Sequence, residues 1–339
     1  MTTAAAPLQA GPAPLRHLTP AWFAIVMGLS GLALAWYRSA PVLGDTAGAV
    51  AAVLALAATA AFSVLTAAAL LRAQRHPEAW AEDLRHPVRH PFVAAIPISL
   101  LLLATLAAAL LGPGPLARGA WWLGSLAQLA ATVWVMSRWW RGNQAGGLQW
   151  AGLTPVLFIP VVGNVLAPLA GVPLGHEAWS AAQFGIGVLF WPVVLVLIAV
   201  RVAVHGAWAE RLRPAAFIVI APPAVVGLGL LQFGAPVLLA WGCWGLALFG
   251  LLWAATQARA MAALPFGLPH WAMSFPLAAL TALSLRLATP GSAMGLLALA
   301  LLALSSLLVA ALVLATVRGL RDGTLLVAEP VATLQPAGR

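Results

Sequence analysis

Met273-Ser274-Phe275-Pro276 is one of four stretches in which an apolar run ends on a proline. The others are Ala94-Ala95-Ile96-Pro97, Leu157-Phe158-Ile159-Pro160 and Val219-Ile220-Ala221-Pro222. Each lies inside an apolar segment long enough to cross a bilayer as a helix, which takes about 20 residues. A proline lacks the backbone N–H of other residues and kinks a helix. In lipid the carbonyl so freed needs a partner, and only protein or water can supply one. The four stretches therefore mark helices that face protein or a passage rather than hydrocarbon.

Outward from these stretches, ten apolar runs can be marked: 19–37, 47–71, 91–111, 119–137, 150–170, 178–200, 214–233, 236–256, 270–288 and 291–317. Prolines favour alternate runs. The odd ones hold Pro97, Pro155, Pro160, Pro168, Pro222, Pro223 and Pro276, whereas the even ones hold only Pro192 away from their ends. The first run has no interior proline but carries Gly28 and Gly31 near mid-depth. The alternation predicts five helix hairpins, each a kinked inner helix followed by a straighter outer one. Gly28, Pro97, Pro160, Pro222 and Pro276 are the expected kinks. Five inner helices around an axis enclose a central passage.

Composition agrees. The 339 residues are 63% hydrophobic and 7% charged, with a mean hydropathy of +0.97. Globular chains are about 45–50% apolar and about 25% charged. So few charges cannot coat a soluble globule, and the sequence reads as an all-α, polytopic membrane protein. All 17 basic residues are arginine and the net charge is +9. They are scattered between apolar runs and form no basic face, which excludes nucleic acid as a partner. With ten spans, fourteen arginines fall on the side of the termini. Arg38, Arg118 and Arg286 fall on the other. That asymmetry predicts cytoplasmic termini and a multi-pass protein of the bacterial inner membrane.

Residues 1–18, rich in Ala, Pro and Thr, read as a disordered lead, 19–318 as the transmembrane domain and 319–339 as a cytoplasmic tail. The lone cysteine, Cys243, leaves no intrachain disulfide. Tryptophans such as Trp121, Trp122, Trp139 and Trp140 sit near span ends, as an interfacial belt requires. The longest internal loop, Arg72–His90, mixes arginines with Glu78, Glu82 and Asp83 and predicts a short amphipathic helix. Its histidines His76, His86 and His90 read as part of a solvated loop rather than a zinc site.

Motifs for chemistry are missing. No Asp, Glu or Arg falls in the middle of a span, which argues against a proton-coupled pump and against acidic cation-channel rings. No Walker A, HExxH, GxSxG or paired CxxC occurs. Ser274 lies four residues after His270, but no orienting acid accompanies them. No catalytic site, cofactor or metal is expected. Polar groups within spans are few: Asn164 in the fifth run, and Gln128, Gln183 and Gln232 in others. Asn164 is a candidate pore-lining group, although interhelical hydrogen bonding is the plainer use of all four. Kinked helices also turn backbone N–H groups and half-helix dipoles towards an axis, which suits anions without formal charge.

Several blocks together resemble the tellurite-resistance/C4-dicarboxylate transporter family, to which plant guard-cell slow anion channels also belong. They are Trp22-Phe23-Ala24-Ile25-Val26-Met27-Gly28, His86-Pro87-Val88-Arg89 leading through Phe92 to Ile96-Pro97-Ile98-Ser99, and Thr154-Pro155 through Ile159-Pro160-Val161-Val162-Gly163. Ile220-Ala221-Pro222-Pro223 and Trp271-Ala272-Met273-Ser274-Phe275-Pro276 complete the set. The resemblance spans about residues 19–318. It implies ten helices as five hairpins around a central pore, in a homotrimer. It implies passage of small anions such as chloride, nitrate, malate or sulfite. It also implies that Phe275 plugs the pore. Phe92, Asn164 and Arg286 are candidates for the pore lining or mouth. Two functions stay open: a passive anion channel, and a coupled carrier exporting a dicarboxylate, sulfite or a tellurite-derived anion.

Overall fold

The computed structural model describes residues 14–142, 144, 146–289 and 291–327. Among them every regular element is helical and no strand occurs. The long helical segments are α1 (Pro20–Arg38), α2 (Asp45–Arg75), α3 (His90–Leu110), α4 (Pro115–Met136) and α5 (Pro155–Gly171). They continue as α6 (Glu177–His205), α7 (Glu210–Gln232), α8 (Val237–Ala255), α9 (268–287) and α10 (Ala293–Arg321). By length and apolarity seven of these can cross a membrane: α1, α2, α3, α6, α7, α8 and α10. α5 is apolar but shorter. The expectation of ten crossings therefore stands at seven on this criterion.

The odd segments share an internal plan that periodicity does not reveal. Each begins as a 3-10 coil and widens into an α-helix: Pro20–Phe23 before Ala24–Arg38, His90–Ala94 before Ala95–Leu110, Pro155–Leu157 before Phe158–Val162, Glu210–Ile220 before Ala221–Gln232, and Leu268–Met273 before Ser274–Leu287. Pro97, Pro160 and Pro276 are each the third residue of the α part, and Pro222 is the second. The first turn of an α-helix has N–H groups without an i−4 partner, so a proline is tolerated best there. The prolines thus mark seams between two helix types rather than bends within one. The exception is Gly28, which lies inside the unbroken α part Ala24–Arg38. Its role is close approach: a Cβ there would lie 2.2 Å from Ser274 Oγ.

Burial separates the two sets. In their most apolar stretches 72% of α1 and α7 is buried, against 17% of α2 and 22% of α6 and α8. Every residue of α5, and every residue of Ser274–Ser284 in α9, is buried. The even helices instead turn Leu56, Leu189, Leu238 and Leu307 outward, an apolar surface that suits lipid rather than water. Each even helix packs along the odd one before it. The odd helices pack on one another in a closed circuit, α1 on α3, α3 on α5, α5 on α7, α7 on α9 and α9 back on α1.

The loop after α2 contains the expected helix, Pro77–Arg85. It is pinned by a buried ion pair, Arg72 Nη2 to Asp83 Oδ2 at 2.7 Å, with both side chains 1% exposed. Arg72 Nε also donates to the Arg16 carbonyl, tying the 3-10 turn Pro14–His17 to this loop. Residues 1–13 of the expected lead and 328–339 of the tail lie outside the described residues. The tail's Thr324 and Leu325 N–H groups return to the Gly319 carbonyl.

Candidate functional site

Two cavities lie inside the circuit of odd helices. The larger, about 600 Å³, is walled by the 3-10 leads and early α turns of the odd helices, with the loop after α2, the segment before α9 and the tail residues Thr324–Val327 at its mouth. Trp22, Phe92, Phe158 and Trp271 give it an aromatic lining, with Pro222 and Pro276 at the seams. Charged lining residues are Arg89, Arg201, Arg211 and Glu82, three positive against one negative. Arg89 Nη2 meets Glu82 at 2.7 Å and Arg89 Nη1 meets Asp83 at 2.8 Å. The Arg89 guanidinium holds the Glu82 carboxyl below its ordinary value. Such a surplus raises the local concentration of anions.

The smaller cavity, about 10 Å³, is lined from all five odd helices by residues including Gly31, Leu34, Arg38, Leu102, Leu169 and Leu228. That volume holds barely one water. Three residues line both cavities: Leu166, Val225 and Phe275. They form the wall between the spaces, and Phe275 is the only aromatic among them. Its ring is 9% exposed. It rests on Gly31, where an added Cβ would come within 3.0 Å of Phe275 Cδ2. Its neighbour Ser274 bonds back into the same segment, its Oγ donating to the Trp271 carbonyl at 2.7 Å.

Of the residues singled out in the sequence, Phe275, Pro276, Pro222 and Phe92 line these cavities. Gly28, Pro97, Pro160, Asn164 and Arg286 line neither. Asn164 is fully buried and points to α4 and α6, with its Nδ2 on Thr132 Oγ1 and its Oδ1 on Gln183 Nε2. Of the two uses read for Asn164, pore lining is corrected and the plainer one holds: its amide finds its partners between helices. Arg286 is exposed at the end of α9. Arg38, at the end of α1, is the arginine that lines the smaller cavity, and Arg286 stays within electrostatic reach of it. Sequence reasoning also missed Gly31, Leu166 and Val225 as cavity residues. Only Gly31, one helical turn beyond Gly28, carried a signal.

The sequence profile of the voltage-dependent anion channel (SLAC1) family matches residues 17–317. The chain is similar to the S-type anion channel SLAH3 of Arabidopsis thaliana, 26% identical over 62% of this chain and 33% of that protein. It is similar to the S-type anion channel SLAH2 of the same plant, 24% identical over 62% of this chain and 40% of that one. It is also similar to a tellurite resistance protein TehA homolog of Haemophilus influenzae, 27% identical over 52% of this chain and 54% of that protein. The matches thus span between a third and about half of the length of these relatives.

Proposed function

The chain belongs to the voltage-dependent anion channel family, and from that premise we propose that it conducts small anions passively across a membrane. The path runs through the two cavities and is closed at Phe275. The observation that carries this reading is the position of one phenyl ring as a shared wall of both spaces. An aromatic ring is wide enough to block a narrow passage and too apolar to replace an anion's hydration shell, so it closes the path by bulk and by dewetting. The arginine surplus at the larger cavity and Arg38 at the smaller one favour anions at both ends.

The ten apolar segments act as ten crossings in five hairpins, with α5 and α9 buried among the others instead of facing lipid. Termini lie in the cytoplasm of a bacterial inner membrane, and the working assembly is a homotrimer. Conduction is passive: among the described residues, Glu82 is the one carboxylate lining the path, and it is tied to Arg89, so no free acid is poised to carry a coupled proton.

The test is anion flux in proteoliposomes with chloride, nitrate, sulfite and malate exchanged in turn, for the natural chain and for Phe275→Ala. The expected result is a current whose reversal follows the anion gradient alone and which rises in the variant. Strict dependence on a proton gradient would favour the coupled carrier instead.

A further inference from the structure

α5 is the most irregular element of the fold. It passes from 3-10 (Pro155–Leu157) to α (Phe158–Val162), back to 3-10 (Gly163–Leu166) and again to α (Ala167–Gly171). One face, with Ile159, Val162, Gly163 and Leu166, lines the larger cavity. The other face is held by polar side chains of α4 and α6, none of which lines either cavity.

Three side-chain donor atoms lie against one backbone oxygen, the carbonyl of Pro160: Gln128 Nε2 at 2.8 Å, Asn164 Nδ2 at 3.1 Å and Thr132 Oγ1 at 2.5 Å, whose single proton is shared with the Gln128 carbonyl at 2.8 Å. Asn164 Nδ2 also reaches Thr132 Oγ1 at 2.8 Å and the Val161 carbonyl at 3.0 Å. The Asn164 Oδ1 accepts from Gln183 Nε2 at 3.1 Å. Gln183 is set in turn by Ser125, whose hydroxyl donates to Gln183 Oε1 at 2.6 Å and whose carbonyl accepts from Gln183 Nε2 at 3.0 Å. All five of these side chains are buried to within 2% of completeness. Behind Gly163 the clearance is nil, since a Cβ there would lie 2.3 Å from Gln128 Nε2. At that depth the α5 backbone alone separates the Gln128 amide from the cavity.

Satisfying buried polar groups does not by itself explain this arrangement, because apolar residues of similar shape would fill the same space at little cost. What the polar side chains add is direction. They grip α5 where its helix type changes, and the change decides which way Val162 and Leu166 face. Leu166 shares the dividing wall with Phe275. We infer that Gln128, Thr132, Asn164 and Gln183 are positioning residues that clamp α5 from behind and so fix the width of the path beside Phe275. The inference rests on the conduction reading above.

The test uses Phe275→Ala as a conducting parent in proteoliposomes and reads the ratio of chloride to gluconate flux. A ratio does not depend on how much protein has folded, so a purely structural role leaves it unchanged. Thr132→Val keeps the shape of the side chain and deletes the hydroxyl; Asn164→Leu deletes the centre of the network. In both, the ratio should fall about threefold, the equivalent of one average interhelical hydrogen bond, while Thr132→Ser keeps the parent's ratio. Should Asn164→Leu fail to fold, Thr132→Val decides alone. An unchanged ratio in Thr132→Val within a conducting parent overturns the clamp. A parent that passes neither anion overturns the conduction reading instead.

Discussion

Gly31 and Phe275 are in contact across α1 and α9, with 3.0 Å between the ring and the place where a Cβ would stand on the glycine. That contact separates two roles for the ring. If Phe275 closes the path, Phe275→Ala raises anion flux many-fold with folding largely intact, and Phe275→Leu raises it less. A ring that served only as core would instead cost about 3–5 kcal/mol on truncation, seen as a lower melting temperature without added flux. Gly31→Ala extends the argument, because its methyl pushes on the ring from α1. Because that methyl would also meet Ala278 Cβ at 3.2 Å, its effect on flux should shrink in the Phe275→Ala background, and an effect of undiminished size there would remove Gly31 from the gate. The gate role of Phe275 is implied by the family resemblance alone; its place before a proline in an apolar segment is shared by Ile96, Ile159 and Ala221. That Asn164 bonds between helices is the plainer reading of its polar side chain; its direction was not legible, because the 3-10 stretch Gly163–Leu166 turns about 120° per residue where an α-helix turns about 100°. A helical wheel drawn with one period mispoints every side chain beyond the change.

At the scale of the element, α1 and α9 approach closely at Gly28 against Ser274, where a methyl would meet Oγ at 2.2 Å and Cβ at 2.8 Å. Gly28→Ala should lower the melting temperature in detergent. Ser274→Gly should restore it, and Ser274→Ala should not, because the Cβ clash remains. The loop helix Pro77–Arg85 tests a different force. Asp83→Asn leaves the buried Arg72 guanidinium without its counter-charge, a loss of about 3–5 kcal/mol for such pairs. Limited trypsin digestion should then cut faster at Arg75 and Arg85; an unchanged rate would mean the pair does not hold the loop. The neighbouring Glu82 adds a pH sign. Its folded value lies below the ordinary 4.5 because Arg89 bonds its charged form. Its contribution is therefore present above 4.5 and lost only as pH falls through the lower folded value, so digestion should be insensitive to pH near neutrality. Alternating proline made the inner and outer sets legible. The 3-10 leads were not, because 3-10 and α coils draw on the same residues and differ only in hydrogen-bond register, which tertiary packing sets.

For the whole molecule, the arginine asymmetry predicts that a reporter fused after Arg339 is active only in its cytoplasmic form. Periplasmic activity there would mean an odd number of crossings. Native mass spectrometry in a mild detergent should show three copies, and a lone protomer under all conditions would count against the trimer. The seams between helix types have a further consequence. A 3-10 coil rises about 2.0 Å per residue and an α-helix about 1.5 Å. Moving a seam by one residue therefore shortens or lengthens an inner helix by about 0.5 Å and turns everything beyond it by about 20°. Such seams stand in all five neighbouring inner helices, and Phe275 is the second residue past one of them. Were a seam to shift, the slide at the level of the prolines would come with a turn of the side chains beyond it, as in the blades of an iris, without a hinge or a moving loop.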